Sequence, residues 1–290
     1  MPELPEVETV VTGLNKLVVG KIIDHVDFDW PKSFPNSDEE IRSYLVGSEI
    51  VNVKRRAKVI IMELSSKYSL VAHLKMTGQF VFRGRTNWGA GHPNDSLVSK
   101  LPDKSTRVTF TFSDNSKLFF NDQRKFGWIR LLPTSEVANI DFIKKLGPEP
   151  LSSDFTHNEF RKQLQKRPNT NIKAALLDQS VIAGIGNIYA DESLWGARIH
   201  PQSVVKSLTT AQTNKLHNEI VEVLKLSIEK GGSTDRNYVD AEGKKGSYLK
   251  FANVFRRENQ ECPRCGATIV KIRVAGRGTH VCPMCQRIKK

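Results

Sequence analysis

Apolar side chains at Val7, Val10, Val11, Leu14, Leu17 and Val18 recur every three or four residues, which predicts an amphipathic helix at the start of the chain. Beyond residue 20 the period shortens. Apolar or alternating runs at 22–28, 50–53, 59–64, 70–74, 80–82, 108–112, 117–120 and 128–132 read as strands, separated by turns such as Ser113-Asp114-Asn115-Ser116. A second short helix is expected near 38–45, and residues 83–104, rich in Gly, Asn, Ser and Lys without a period, as a long loop. From 152 onward the pattern is helical, with segments at 156–166, 171–178, 187–195 and 209–230. This order of elements predicts an α+β protein of two domains: a β-sandwich with flanking helices over 1–133, a linker over 134–151, a helical domain over 152–260 and a terminal module over 261–290.

Two features of the second half carry chemistry. Between the helices at 171–178 and 187–195 lies Gln179-Ser180-Val181-Ile182-Ala183-Gly184-Ile185-Gly186, a glycine-bearing turn that ends at a helix N-terminus. Such a terminus offers backbone N–H groups and a positive dipole end to a phosphate, although a plain helical hairpin has the same pattern. The last module holds all four cysteines, Cys262, Cys265, Cys282 and Cys285, as two C-x2-C pairs with sixteen residues between them. That spacing fits one structural Zn2+ bound by four thiolates. Two disulfides are the alternative, and no secretory signal supports the oxidising compartment they need. The strand at 268–274 and the return at 279–281 make the module a β-hairpin finger with Arg277 near its tip.

Charge narrows the partner. The net charge is +13, and after Glu261 there is no acid, while Arg264, Lys271, Arg273, Arg277, Arg287, Lys289 and Lys290 are basic. The expected partner is a polyanion, nucleic acid first. No apolar run reaches the eighteen or so residues of a membrane helix, so a cytoplasmic protein is expected.

The chain opens Met1-Pro2-Glu3-Leu4-Pro5-Glu6-Val7-Glu8-Thr9. Proline in a first turn and acids at a helix start are ordinary helix-initiating chemistry. Removal of Met1 would also leave Pro2 with a free secondary amine. An α-amino group titrates near 7.7–8.0, so at pH 7.5 roughly a quarter to two-fifths is uncharged, against about one lysine in a thousand. A neutral amine beside a carboxylic acid can attack an electrophilic carbon and pass through a Schiff base.

Pro2-Glu3-Leu4-Pro5-Glu6-Val7-Glu8-Thr9 and Ala183-Gly184-Ile185-Gly186-Asn187-Ile188-Tyr189-Ala190-Asp191-Glu192 resemble the opening and the helix–two-turns–helix motif of the formamidopyrimidine-DNA glycosylases. The resemblance runs from Pro2 to the last cysteine pair. It implies a monomeric bifunctional DNA glycosylase and abasic-site lyase that excises oxidised purines from damaged double-stranded DNA. Pro2 would be the nucleophile, Glu3 the proton donor, Lys58 the residue of β-elimination and Arg277 that of δ-elimination. His73-Leu74-Lys75-Met76-Thr77-Gly78 and Asn121-Asp122-Gln123-Arg124-Lys125-Phe126-Gly127 look like the family's DNA-wedging segments. By that match His73 contacts DNA, Met76, Arg124 and Phe126 enter the duplex, and Arg124 faces the orphaned base. Lys173 and Asn187 match residues on the phosphates near the lesion, and Glu6 would brace the site.

Some positions depart from the family pattern. Lys104-Ser105-Thr106-Arg107 replaces a Lys-His-x-His stretch, so its DNA contact is lost or passes to Lys104 or Arg107. Ala57 stands where glycine is common, Phe255-Arg256-Arg257 replaces a Tyr-Gly-basic string, and Pro168 falls where a basic residue is usual. Two rivals remain. The sister group that removes oxidised pyrimidines typically has glycine at the place of Leu4, and a catalytically silent DNA-binding protein would not need Pro2, Glu3 and Lys58.

Overall fold

Helix α1 (Leu4–Val18) starts where Glu3, in extended backbone, caps a first turn containing Pro5 and Glu6. Its apolar stripe is fully used, since Val7, Val10, Leu14 and Val18 are all buried. The computed structural model describes residues 2–92, 94–233 and 247–288. Among these, the chain forms two compact units, Met1–Lys144 with Lys230–Ser247, and Lys145–Glu229 with Tyr248–Lys290.

In the first unit α1 is followed by β1 (Ile23–Phe28), the single helical turn α2 (Asp38–Glu40), β2 (Ile50–Arg56), β3 (Val59–Leu64), β4 (Tyr68–His73), β5 (Gly78–Arg83), β6 (Asn87–Gly91), β7 (Thr106–Phe112), β8 (Lys117–Asp122), β9 (Trp128–Pro133) and α3 (Asp141–Lys144). The strands pair in antiparallel fashion as two sheets, β1-β7-β8-β5-β6 and β2-β3-β4-β9. One core joins them: Phe80, Phe110 and Phe120 from the larger sheet meet Ile60, Met62 and Ile129 from the smaller, with Val10 and Leu14 of α1 in the same cluster. The expected sandwich is present.

Three expectations change in detail. Residues 83–104 are not all loop, because 87–91 form edge strand β6. Alternation is there but short: Trp88 and Ala90 point into the core beside Gly89 and Gly91, which hide the signal. Trp88 lies against α1 so closely that a Cβ on Gly13 would come within 2.2 Å of its indole. The expected helix at 38–45 is α2 run directly into a π-helical turn, Ile41–Leu45. Residues 134–144, expected as linker, belong to the first unit, where the Thr134 hydroxyl meets Ser69 Oγ at 2.8 Å and Phe142 packs edge-on against Trp128.

The second unit contains α4 (His157–Leu164), α5 (Ile172–Leu177), α6 (Asn187–Gly196), α7 (Thr210–Glu229) and the hairpin β10 (Val270–Val274) with β11 (Arg277–Val281). Helix α6 is the centre: Tyr189 to Leu194 are consecutive and all buried. A helix covered on every side can keep charged residues only if they are paired, and Asp191 and Glu192 both are. Glu192 accepts the backbone N–H groups of Asn253, Val254 and Phe255 at 2.8–2.9 Å, which fixes the segment that enters the last module. Burial nonetheless pushes its carboxyl up. Residues 231–247, whose glycines and mixed charges predict a loop after the last helix, lie over 234–246 outside the described residues.

Candidate functional site

Pro2 and Glu3 are both buried at the N-terminal end of α1. Glu6 holds this start in place: its Oε2 accepts the Glu3 N–H at 2.9 Å, and its Oε1 accepts the Ser233 N–H at 2.8 Å. The acid is therefore both a helix-start residue and a brace. Lys58, also buried, lies in the two-residue turn Ala57-Lys58 between β2 and β3, where Arg56 pairs with Val59. Arg55 ties that turn to α1, with Nε on Glu8 Oε2 at 2.7 Å and Nη1 on the Ala57 carbonyl at 3.2 Å. The lysine and the chain start are thus attached to one helix.

Two further turns present large side chains. The β4–β5 turn carries Met76 and the β8–β9 turn carries Arg124 and Phe126. Met76 is 39 % and Phe126 53 % exposed, which argues against core roles that spacing alone would give them. The Arg124 guanidinium lies 4.8 Å from the Phe126 ring centre. At the base of the first turn His73 Nδ1 accepts the Lys75 N–H at 3.0 Å. Burial first, then the charges of Lys75 and Lys58, hold its pKa down to about 3. The ring is neutral at physiological pH and offers hydrogen bonds, not a charge.

That depression has a consequence for folding. In the unfolded chain the imidazole titrates near 6.5, so between about pH 6.5 and 3 the unfolded state binds the extra proton. The stabilisation is fully present above pH 6.5 and is lost as pH falls toward the folded value. We expect His73→Gln, which cannot take up that proton, to flatten the fall of Tm between pH 6.5 and 4.5. A slope equal to that of the unsubstituted protein would refute this.

In the second unit, Asn171 caps α5 by accepting the Ala174 N–H, and the turn into α6 is tied by Gln179, whose amide reaches the Ile185 carbonyl at 2.8 Å and the Gly184 N–H at 3.0 Å. Gly184 has φ +84, a conformation side chains resist. Asn187 opens α6, half exposed, with Nδ2 on the Gly278 carbonyl at 3.0 Å. Arg277 is exposed and opens β11, paired with Val274. The turn before it is therefore only Ala275-Gly276, both at positive φ as a two-residue hairpin requires.

Lys173, expected near a phosphate, is turned into the interior of its unit. Its side chain is fully buried, with Nζ 2.6 Å from Asp191 Oδ1 and 2.7 Å from Thr279 Oγ1. Asp191 Oδ2 in turn accepts the His280 N–H at 2.9 Å. The lysine thus fastens α5 and α6 to β11 through an internal ion pair. Sequence reading missed Asp191 and Thr279 because their pairing with Lys173 exists only in three dimensions.

The four cysteines converge. Their sulfurs all lie within 4.8 Å of one another, with Cys262–Cys285 at 3.9 Å and Cys265–Cys282 at 3.5 Å. Four sulfurs about 2.3 Å from a central ion would be separated by close to 3.8 Å in a tetrahedron, so the set fits zinc. Trp195 donates its indole N–H to Cys262 Sγ at 3.4 Å, and Arg264 stacks 3.8 Å from the Trp195 ring centre.

Three family models match in order: the formamidopyrimidine-DNA glycosylase N-terminal domain over residues 1–129, the H2TH domain of that enzyme over 146–238, and the zinc finger found in FPG and IleRS over 259–288. A formamidopyrimidine-DNA glycosylase of Bacillus licheniformis is 42% identical, covering 99% of this chain and 100% of its own. The chain belongs to the formamidopyrimidine-DNA glycosylase family. Another such glycosylase, from Enterococcus faecalis, is 41% identical over 100% of this chain and 98% of its own. Among solved structures, a Lactococcus lactis FPG mutant in complex with Fapy-dG DNA superposes with TM-score 0.87 at 37% identity, covering 99% of this chain and 100% of that one. The Lactococcus lactis Fpg complexed with abasic-site DNA gives 0.86 at 36% identity, covering 98% and 99%.

Against the family pattern, the departures now have physical readings. Ala57 (φ +52) and Arg256 (φ +58) sit where glycine is common, and both backbones are left-handed. Each side chain there costs about 1 kcal/mol that glycine would not. Ser105 is buried on Asp103, and Arg107 is buried and committed to the Asp29 carboxylate, so neither can replace a lost DNA contact. Lys104 alone of that stretch is exposed.

Proposed function

We propose that the Pro2 nitrogen, freed by removal of Met1, attacks the sugar carbon of an oxidised purine nucleotide in duplex DNA. The observation that carries this reading is the Pro2-Glu3 start, buried and braced by Glu6, in a chain that belongs to this family over its whole length. The target carbon is hidden in the stacked duplex, so the nucleotide must first be turned out. Met76, Arg124 and Phe126 fill the gap, as apolar and stacking wedges do in kinked DNA, with Arg124 facing the orphaned base.

The amine bonds to the sugar carbon and the base leaves with a proton from Glu3. The nitrogen then gives up its proton and the C1′–O4′ bond of the sugar breaks, O4′ taking up a proton, which leaves an iminium that acidifies the neighbouring carbon. Loss of that carbon's proton, in a step that Lys58 serves, expels the 3′ phosphate in β-elimination, and a second elimination releases the 5′ phosphate. Arg277 serves this step by holding phosphate, since a guanidinium keeps its proton. Asn187 orients the backbone near the lesion. Zinc, when bound, supplies no chemistry; it holds the Arg277 hairpin. The enzyme works as a monomer in the cytoplasm, and among the described residues no helix is long and apolar enough to cross a membrane.

Borohydride trapping on a panel of duplexes tests this. Covalent adducts are expected with formamidopyrimidine and 8-oxoguanine duplexes, with a rate advantage over oxidised pyrimidines. Faster reaction on the pyrimidines would favour the sister group, and absence of any adduct with processed protein would favour a silent DNA binder.

A further inference from the structure

Asp122, the last residue of β8, has no exposed surface, and its carboxylate is spent on two loops at once. One oxygen, Oδ2, accepts the N–H groups of Phe126 at 2.7 Å and Gly127 at 2.6 Å. The other, Oδ1, accepts the Arg124 N–H at 3.2 Å and a hydrogen bond from the Thr77 hydroxyl. Thr77 Oγ1 itself accepts the Arg124 N–H at 3.1 Å. Thr77 is the neighbour of Met76, and Arg124, Phe126 and Gly127 are the other wedge segment. One carboxylate therefore spans both turns.

The surroundings are shaped to it. The backbone of Asp122 is fixed at both ends, its N–H on the Ser105 carbonyl at 2.8 Å and its carbonyl on Arg107 Nε at 3.1 Å. A Cβ on Gly127 would come within 3.1 Å of Asp122 Oδ2 and 2.7 Å of Phe120, and one on Gly78 within 2.4 Å of the Leu74 carbonyl. Each wedge also follows a lysine in the left-handed region, Lys75 before Met76 (φ +50) and Lys125 before Phe126 (φ +57). Such turns are held by their hydrogen bonds, because their backbone preference works against them. A buried carboxylate that accepts several N–H groups is a strong organiser of a loop.

We infer that Asp122 is a positioning residue that locks the Met76 turn and the Arg124–Phe126 turn into one rigid DNA wedge. The inference rests on the reading above that these three side chains enter the duplex. Rigid placement matters because a wedge that must be ordered during insertion loses part of its binding energy to that ordering. Steps after extrusion do not need it.

Thr77→Val removes the hydroxyl that joins the two turns and keeps the side chain's size; Thr77→Ser keeps the hydroxyl. Asp122→Asn puts an amide N–H against one of the two donor sets. The readouts are single-turnover excision of 8-oxoguanine from paired duplex, and strand cleavage at an abasic site in single-stranded DNA, which needs no extrusion. For Thr77→Val and Asp122→Asn we expect excision to fall by about tenfold or more, from the loss of buried hydrogen bonds. Cleavage of the single strand should change less than about twofold, and Thr77→Ser should excise like the unsubstituted protein. Parallel loss on both substrates, or undiminished excision by a folded Thr77→Val, would overturn the clamp; the latter decides even if Asp122→Asn does not fold. Met76→Ala and Phe126→Ala separate the two ideas. If they excise normally the wedge reading fails, and if they are slowed while Thr77→Val is not, only the clamp fails.

Discussion

Protein that retains Met1, or that carries extra residues before Pro2, is expected to lose both base excision and strand cleavage, and to give no borohydride adduct. In such a chain the Pro2 nitrogen is a tertiary amide. Its lone pair is delocalised into the carbonyl, and no protonation state makes it nucleophilic. A lysine is no substitute, since at neutral pH only about one in a thousand is uncharged. Loss of an attacking group usually costs on the order of 10⁴-fold or more, because what remains is binding and electrostatic stabilisation alone. DNA binding should survive, as the wedge turns and the second unit are untouched. Comparing processed and unprocessed protein by mass spectrometry, trapping and lesion-duplex affinity separates the two effects. An adduct of normal yield on unprocessed protein, mapped to a lysine such as Lys58, would move the nucleophile away from the chain start.

How far this site could be read from sequence depends on how local its causes are. Helix α1 was legible because its burial repeats every three or four residues, and the cysteine module because ligand spacing within each pair is short-range. Strand β6 was not, since its five residues, Asn-Trp-Gly-Ala-Gly, bury only two side chains and owe their place to Trp88 packing on α1. Lys173 reads as a surface cation until Asp191, eighteen residues on, and Thr279, more than a hundred on, are folded around it. Asp122 stood inside a wedge segment whose neighbours drew attention by size and charge, while its own work is done through backbone N–H groups that no sequence displays. Ala57 and Arg256 were visible as departures, but the positive φ that explains why glycine is usual there belongs to the backbone.

Removal of zinc, by a chelator or by Cys265→Ser, is expected to abolish specific binding to lesion DNA while the first unit stays folded. The last module has only a small apolar core. Its core is Val254, Cys262, Ile269 and Cys282, so two of the four buried residues are themselves metal ligands. A cluster this small cannot offset the ordering of some thirty residues, and the free energy of binding a structural zinc, on the order of 10 kcal/mol, becomes folding free energy. Melting the module releases the β10–β11 hairpin. With it go Arg277, the Gly278 carbonyl that Asn187 holds, and Thr279, which leaves Lys173 with a buried charge and one partner fewer. The loss should therefore spread into α5 and α6, and cost more affinity than replacing Arg277 alone. Binding of lesion duplex by metal-free protein at undiminished affinity, with zinc content confirmed as nil, would show that the hairpin stands on its own packing and that the cysteines are not what keeps it folded.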